Sequence, residues 1–198
     1  MNGQGKVSAE ALDILLRQAR SYSDYKLDPV SDETLRALYD LVKWGPITAN
    51  SQPQRILFIR GAAAKERLRP ALSSSNVKKT LSAPVVALLA YDMRFFEHLP
   101  RMYSNPQARS WYETTPEAIR TTALRNASLQ GAYLIIAARA LGLDCGPMSG
   151  FNNDKVDAEF FPDGRFKSNF LCCLGYGDGS SLEPRLERFG FDEVCKVL

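Results

Sequence analysis

Residues 116–143, PEAIRTTALRNASLQGAYLIIAARALGL, constrain the fold more than any other stretch. They carry the longest unbroken helical pattern in the chain. Pro116 suits a first helical turn, and Gly142 falls near the end. From Ala127 onward, small or apolar residues cover nearly the whole circumference. A helix with that pattern needs neighbours on several sides, so it is predicted to be central. Arg139 within it argues against a membrane span.

Two continuous apolar runs, PVVALLAY (84–91) and SNFLCCLGYG (168–177), read as strands buried on both faces. RILFI (55–59) is a shorter third strand. The segment 31–44 opens on capping residues, places Leu35, Leu38 and Val42 at helical spacing, and is stopped by Gly45-Pro46. Ser8 can cap a first helix with Leu12, Leu15, Leu16 and Ala19 on one face. Segments 62–72, 76–81 and 154–161 read as short helices, and 191–198 as a helix-like tail. Residues 94–115 are irregular and aromatic. Helices and strands mix without a regular βαβ alternation, which favours a layered α+β fold in one domain spanning 1–198.

The net charge of +3 is spread without a Lys/Arg tract, so neither nucleic acid nor an anionic membrane is expected as a partner. Four cysteines occur without a CxxC pair, as for reduced thiols in a cytoplasmic protein, and the first ten residues lack the apolar stretch of a secretory signal. One histidine, His98, leaves little for a metal site, and none is expected. In an irregular segment with no evident partner, it reads as a surface residue. GYGDG (175–179) superficially matches a dinucleotide fingerprint, but it lies near the C-terminus and opens no helix. Tyr39 and Lys43 share a helix face without the glycine-rich strand that would make them a dehydrogenase pair.

GPITANSQP (45–53) is different. A connection needs its glycine and prolines but not Thr48, Asn50, Ser51 and Gln52 in one run. Arg20-Ser21, Asn76 with Lys79, the glycine-bearing DCGPMSGF (144–151), and Arg185 with Arg188 are similarly unexplained. Together they supply cations for a phosphate, amides and hydroxyls for a polar ring, and approachable backbone donors. That inventory suits a phosphorylated heterocyclic cofactor.

The order of these segments resembles the FMN-dependent nitroreductase family along essentially the whole chain, most closely its malonic semialdehyde reductase branch. SDETLRALYDLVKWGPITANSQPQRI, ERLRPALSSSNVKKTLSAPV, NASLQGAYLIIAARALGLDCGPMSGF and KSNFLCCLGYGD carry the resemblance. It implies a central mixed β-sheet flanked by helices in an interlocked homodimer, with a tail from about residue 180 reaching the partner subunit. It implies FMN in the subunit interface, and NADH or NADPH as electron donor. Arg20 and Ser21 match the start of a phosphate motif whose second arginine is Ser23 here. Pro46, Ile47, Thr48 and Asn50 match a loop reaching the flavin from the other subunit, with Ile47 contributing backbone only. Asn76 and Lys79 match the pair facing the pyrimidine edge. Pro147, Met148, Ser149 and Gly150 match the loop under the ring, with Ser149 where many relatives carry Glu. Arg188, and more weakly Arg185, match a phosphate-binding tail arginine.

No catalytic side chain is implied, because flavin N5 accepts a hydride from the nicotinamide and passes it to the second substrate in turn. The resemblance implies reduction of malonic semialdehyde to 3-hydroxypropanoate in pyrimidine degradation. The competing readings are a broad nitroreductase or quinone reductase and a non-catalytic flavin-binding protein. Because the 94–115 segment is the family's cover over the ring, Arg101 or Arg109 is expected to clamp the substrate carboxylate.

Overall fold

The computed structural model describes residues 5–198. Helix α1 (Ala9–Leu12), capped by Ser8, widens at once into a π turn over Asp13–Arg17. Of the expected apolar face, Leu12, Leu15 and Ala19 are half-buried and Leu16 is left exposed, so the face is only partly covered within this chain. Helix α2 (Asp32–Val42) is capped by the Ser31 side chain, which accepts from Thr34 N at 3.1 Å, and it buries Leu35, Leu38 and Val42 as its spacing predicts.

Strands β1 (Gln54–Ile59), β2 (Val85–Asp92), β3 (Asp144–Met148) and β4 (Phe166–Gly175) form one sheet in the order β1-β2-β4-β3. The sheet expected to be mixed is antiparallel at all three of these pairings. The parallel contact is an isolated bridge between Ser21 and Cys145 outside the strands. Strand β2 is buried along its full length, and its two faces serve different layers. Val85, Ala87 and Leu89 pack with Leu35, Leu38 and Val42 of α2 and with Leu134 and Ala138 of α6 (Pro116–Ala140). Val86, Leu88 and Ala90 face Leu68, Ala71 and Phe161, together with Val156 of α7 (Asn153–Phe160). The result is a sheet between two helical layers. Helices α3 (Ala62–Glu66) and α4 (Ser74–Ser82) complete the second side.

Two expectations need correction. Pro147 and Met148, expected in a loop with Ser149 and Gly150, instead end strand β3, while Ser149 and Gly150 follow it. Only Phe191–Val194 of the tail is helical (α8), and its Phe191, Val194 and Val197 are exposed. The irregular 94–115 segment builds a small core of its own around α5 (Leu99–Met102). Phe95, Leu99, Ala108 and Tyr112 pack on Ala123 and Ala127 of α6, with the Phe95 and Tyr112 rings edge to face at 4.9 Å. Among the described residues, no helix is long and apolar enough to cross a membrane.

Candidate functional site: a cationic cradle and a clamped loop

The chain holds two separate polar constellations. The first lies along β3. Ser21 bridges Cys145, and Tyr22 N donates to Cys145 O at 3.0 Å, which lays the Arg20-Ser21 segment against the strand. Gly146 is needed there, because a Cβ would sit 2.5 Å from Tyr22 O and 2.5 Å from the Tyr25 hydroxyl. The same position lies 3.4 Å from Lys79 Cδ, which brings the α4 lysine beside the strand. Lys78 pairs with Asp24 at 2.7 Å, whereas Lys79 makes no ion pair among the described residues. Its charge acts instead on Cys173, whose thiol burial nevertheless pushes up to about 12.

At the far end of β3, Asn76 Nδ2 donates to Gly150 O at 3.0 Å and to Ser73 Oγ at 3.1 Å. Both amide hydrogens are thereby used, which leaves Oδ1 as the group Asn76 can offer a ligand. A Cβ on Gly150 would meet Asn76 Nδ2 at 2.5 Å, so a side chain there would displace the amide. Arg20 donates to the Glu183 carbonyl, and Arg185 Nη2 donates to Ala19 O at 3.1 Å. The tail is thus folded back onto the Arg20 segment. Arg188 is not brought to this cluster: its guanidinium donates to Leu186 O and Glu187 O of its own tail. Ser23 is exposed.

The second constellation is the GPITANSQP loop. Three of its non-glycine residues, Ala49, Asn50 and Gln52, have positive φ of 44–48°, a conformation that is costly for a side-chain-bearing residue. The loop is held from outside. Asn126 Oδ1 accepts from Thr48 N at 2.8 Å, the Tyr133 hydroxyl donates to Pro46 O at 2.8 Å, and Gln130 accepts from Gln54 N while donating to Gln52 Oε1 at 2.9 Å. Asn50 Nδ2 donates to Met102 O at 2.8 Å, tying the loop to α5. Asn126 and Gln130 are buried on α6, so the helix read as apolar nearly all round has a polar buried face that clamps this loop. Their spacing of four, extended to Tyr133, was the available sequence signal.

A cavity of about 830 Å³ opens beside the loop. Pro46, Ile47 and Asn50 line it, facing His98, Arg101 and Met102 from the 94–115 segment, with Tyr39 and Lys43 of α2 and Arg55 of β1. Arg101 is therefore on the cavity wall. Arg109 is not: it pairs with Glu113 at 2.6 Å outside it. His98 is also not the partnerless surface residue expected. Its Nε2 lies 3.7 Å from Asp92 Oδ2 and 3.4 Å from Arg165 Nη2. Asp92 is wholly buried and is held by Arg55 at 2.7 Å and by Arg165 at 3.0 Å. Among the described residues, no group of His, Cys, Asp or Glu could hold a metal ion.

Strands β1 and β3 are opposite edges of the sheet, three strand spacings or about 14 Å apart. The loop leading into β1 and the cradle on β3 thus lie on opposite flanks of the sheet. Each offers hydrogen bonds and positive charge, which suits an anionic ligand.

The fold and these segments match known proteins. Residues 16–176 match the nitroreductase family, and the chain belongs to it. A Ralstonia nicotianae protein bearing the provisional name NADH dehydrogenase/NAD(P)H nitroreductase is 54% identical over 187 residues, covering 94% of this chain and 96% of its own. Two solved structures share the fold. One is a provisionally named nitroreductase, ydfN, from Bacillus subtilis, at a TM-score of 0.86 and 23% identity, covering 96% of this chain and 100% of its own. The other, from Exiguobacterium sibiricum, is a provisionally named nitroreductase solved in complex with FMN, at a TM-score of 0.87 and 20% identity, covering 98% and 99%.

Proposed function

We propose that the chain is an FMN-dependent oxidoreductase that uses NADH or NADPH to reduce a small carbonyl, nitro or quinone compound. The observation that carries this reading is the cradle along β3. Asn76 has only its Oδ1 left to offer, which suits the ring N–H of a flavin pyrimidine edge. Lys79 stands beside Gly146 as a positive group for the same edge, and Gly146 and Gly150 leave the strand approachable. Arg20, with Ser21 and Arg185 nearby, suits the phosphate. These residues fit FMN, and the FMN complex of the Exiguobacterium sibiricum protein and the name of the Ralstonia nicotianae relative support the cofactor and the electron donor.

Bound FMN would supply hydride transfer between the nicotinamide and the acceptor. The protein's part is to hold, orient and charge-balance the ring and to shape what approaches it. Lys79 would offset negative charge at the pyrimidine edge. Backbone at Pro147, Met148, Ser149 and Gly150 would line its underside.

The Pro46, Ile47, Thr48 and Asn50 loop lies on the opposite flank of the same chain, so it completes the site from a second copy. A homodimer also accounts for the exposed Leu124 and Leu129 on α6, Trp44 after α2, and Phe189, Phe191 and Val197 in the tail. Arg188, turned toward its own tail in one chain, becomes a phosphate ligand when the tail is ordered by that partner.

The acceptor proposed is malonic semialdehyde, reduced to 3-hydroxypropanoate as in pyrimidine degradation. Arg101 on the cavity wall supports it, since this substrate carries a carboxylate one methylene away from the reacting carbonyl. A broad nitroreductase or quinone reductase is the second reading, favoured by the name of the Ralstonia nicotianae relative. A substrate panel on FMN-loaded protein decides. Arg101→Ala should lower kcat/KM on the semialdehyde about tenfold or more, the worth of a charge-assisted hydrogen bond, and spare an uncharged quinone. Equal loss on both, or none on either, removes the clamp. Negligible turnover of the semialdehyde beside rapid nitro reduction favours the second reading.

A further inference from the structure

The chain's one histidine sits at the cavity wall with one ring nitrogen already committed. Its Nε2 faces Arg165 Nη2 at 3.4 Å and the buried Asp92 carboxylate at 3.7 Å. The 3.4 Å contact to Arg165 is within hydrogen-bond reach and the 3.7 Å contact to Asp92 is not; a guanidinium only donates, so in that bond Nε2 accepts. The proton of the neutral ring then belongs on Nδ1, which has no partner among the described residues. Arg165 is itself fixed: it grips Asp92 through two bonds of 3.0 Å and meets Glu97 at 3.3 Å. Asp92 is further held by Arg55 at 2.7 Å and by Arg94 N at 2.8 Å. The charged groups around the ring are therefore Asp92 on β2, Arg55 on β1, Glu97 on its own turn, Arg165 ahead of β4, and Arg101 across the cavity wall.

We propose that His98 is a substrate-binding residue, held in the Nδ1–H tautomer by Arg165, that donates a hydrogen bond from Nδ1 to the acceptor oxygen of a carbonyl or nitro compound in the cavity. This rests on the oxidoreductase reading and names the donor that a reducible C=O or N=O group needs. Arg101 and His98 then divide the substrate: a cation for a carboxylate, and a neutral N–H for the oxygen of the group being reduced. A neutral donor polarises that oxygen without placing a third positive charge beside Arg55 and Arg165.

A single histidine makes the test direct. Protein labelled with ¹⁵N-histidine, loaded with FMN and held at a pH where the ring is neutral, should show the proton on Nδ1 by two-bond ¹H–¹⁵N correlation. Adding 4-nitrobenzoate with no reduced nicotinamide present, so that nothing turns over, should shift the Nδ1 signal and leave Nε2 in place. His98→Phe should retain FMN but lose about three- to tenfold in kcat/KM on 4-nitrobenzoate, the worth of one neutral hydrogen bond. His98→Gln, which keeps an N–H donor, should recover part of that loss. A proton on Nε2, an Nδ1 signal indifferent to the probe, or equal activity in all three proteins overturns the proposal. Failure of wild-type protein to bind FMN would overturn the oxidoreductase reading instead. The tautomer and the probe shift, measured on the same unloaded protein, would still decide whether His98 meets a ligand.

Discussion

At the residue scale, the cradle depends on a few groups whose loss has separable effects. Arg20→Ala removes a cation from the proposed phosphate end. A charged hydrogen bond is worth roughly 1.5–3 kcal/mol, so FMN should bind about ten- to a hundredfold more weakly, with the fold intact by circular dichroism. Unchanged affinity in a fluorescence titration would remove Arg20 from the site. Gly146→Ala should act on stability instead. Its Cβ would meet backbone at Tyr22 O, which cannot rotate away, and overpacking of this kind costs about 1–3 kcal/mol. A melting temperature equal to wild type would contradict the close approach.

The buried Cys173 thiol gives a pH dependence with a definite sign. In the unfolded chain it titrates near 9.0, whereas in the fold burial raises it to about 12. The stability it confers is fully present below pH 9.0 and is lost as pH rises through the window up to about 12, because the unfolded state releases its proton first. Burial lowers the pKa of Lys65, which contributes an opposite slope in the alkaline range below its ordinary value of 10.5. Comparing denaturation curves of wild type and Cys173→Ala isolates the thiol: the variant should lose less stability across that window. Parallel curves would refute the assignment.

At the element scale, the clamp between α6 and the 45–53 loop is the feature with the clearest energetic consequence. Asn126→Ala leaves Thr48 N without its side-chain acceptor, and the lost hydrogen bond is worth about 0.5–1.5 kcal/mol. The loop's positive-φ residues should then relax, so amide exchange should accelerate at residues 47–52 more than in the sheet. Uniform acceleration throughout would mean that Asn126 serves only global stability. This element also shows what could be read in advance. Strands β2 and β4 were legible because burial on both faces leaves no polar alternation to obscure them. Strand β3 was not: Asp144, Gly146 and Pro147 are poor strand formers, tolerated at a sheet edge whose outer side meets only the isolated Ser21 bridge. The polar stripe of α6 was masked by its small and apolar neighbours. The partners of His98 were invisible because Asp92 and Arg165 meet it only through the fold. The cradle residues were named through family resemblance, not through their spacing, and the structure gathers Arg20, Ser21, Asn76 and Lys79 along β3 and the residues after it.

At the scale of the whole molecule, one chain presents its loop and its cradle at opposite sheet edges, with exposed apolar side chains in the tail and on α6. The proposed homodimer pairs two copies so that each cradle meets the other's loop. Obligate interfaces of this kind bury roughly 2,000–5,000 Å². Cys195, exposed in the single chain, should become slow to react with thiol reagents in the dimer, while Cys145, Cys172 and Cys173 stay silent until unfolding. Rapid modification of Cys195 in a particle of dimer mass would place the tail outside the interface. The most direct measurement of the central claim is a titration of purified protein with FMN, followed by flavin fluorescence and absorbance, with the mass of the complex taken by light scattering. The expected result is a yellow dimer holding about one FMN per chain. A protein that gains no flavin spectrum, or a stable flavin-loaded monomer, would contradict it.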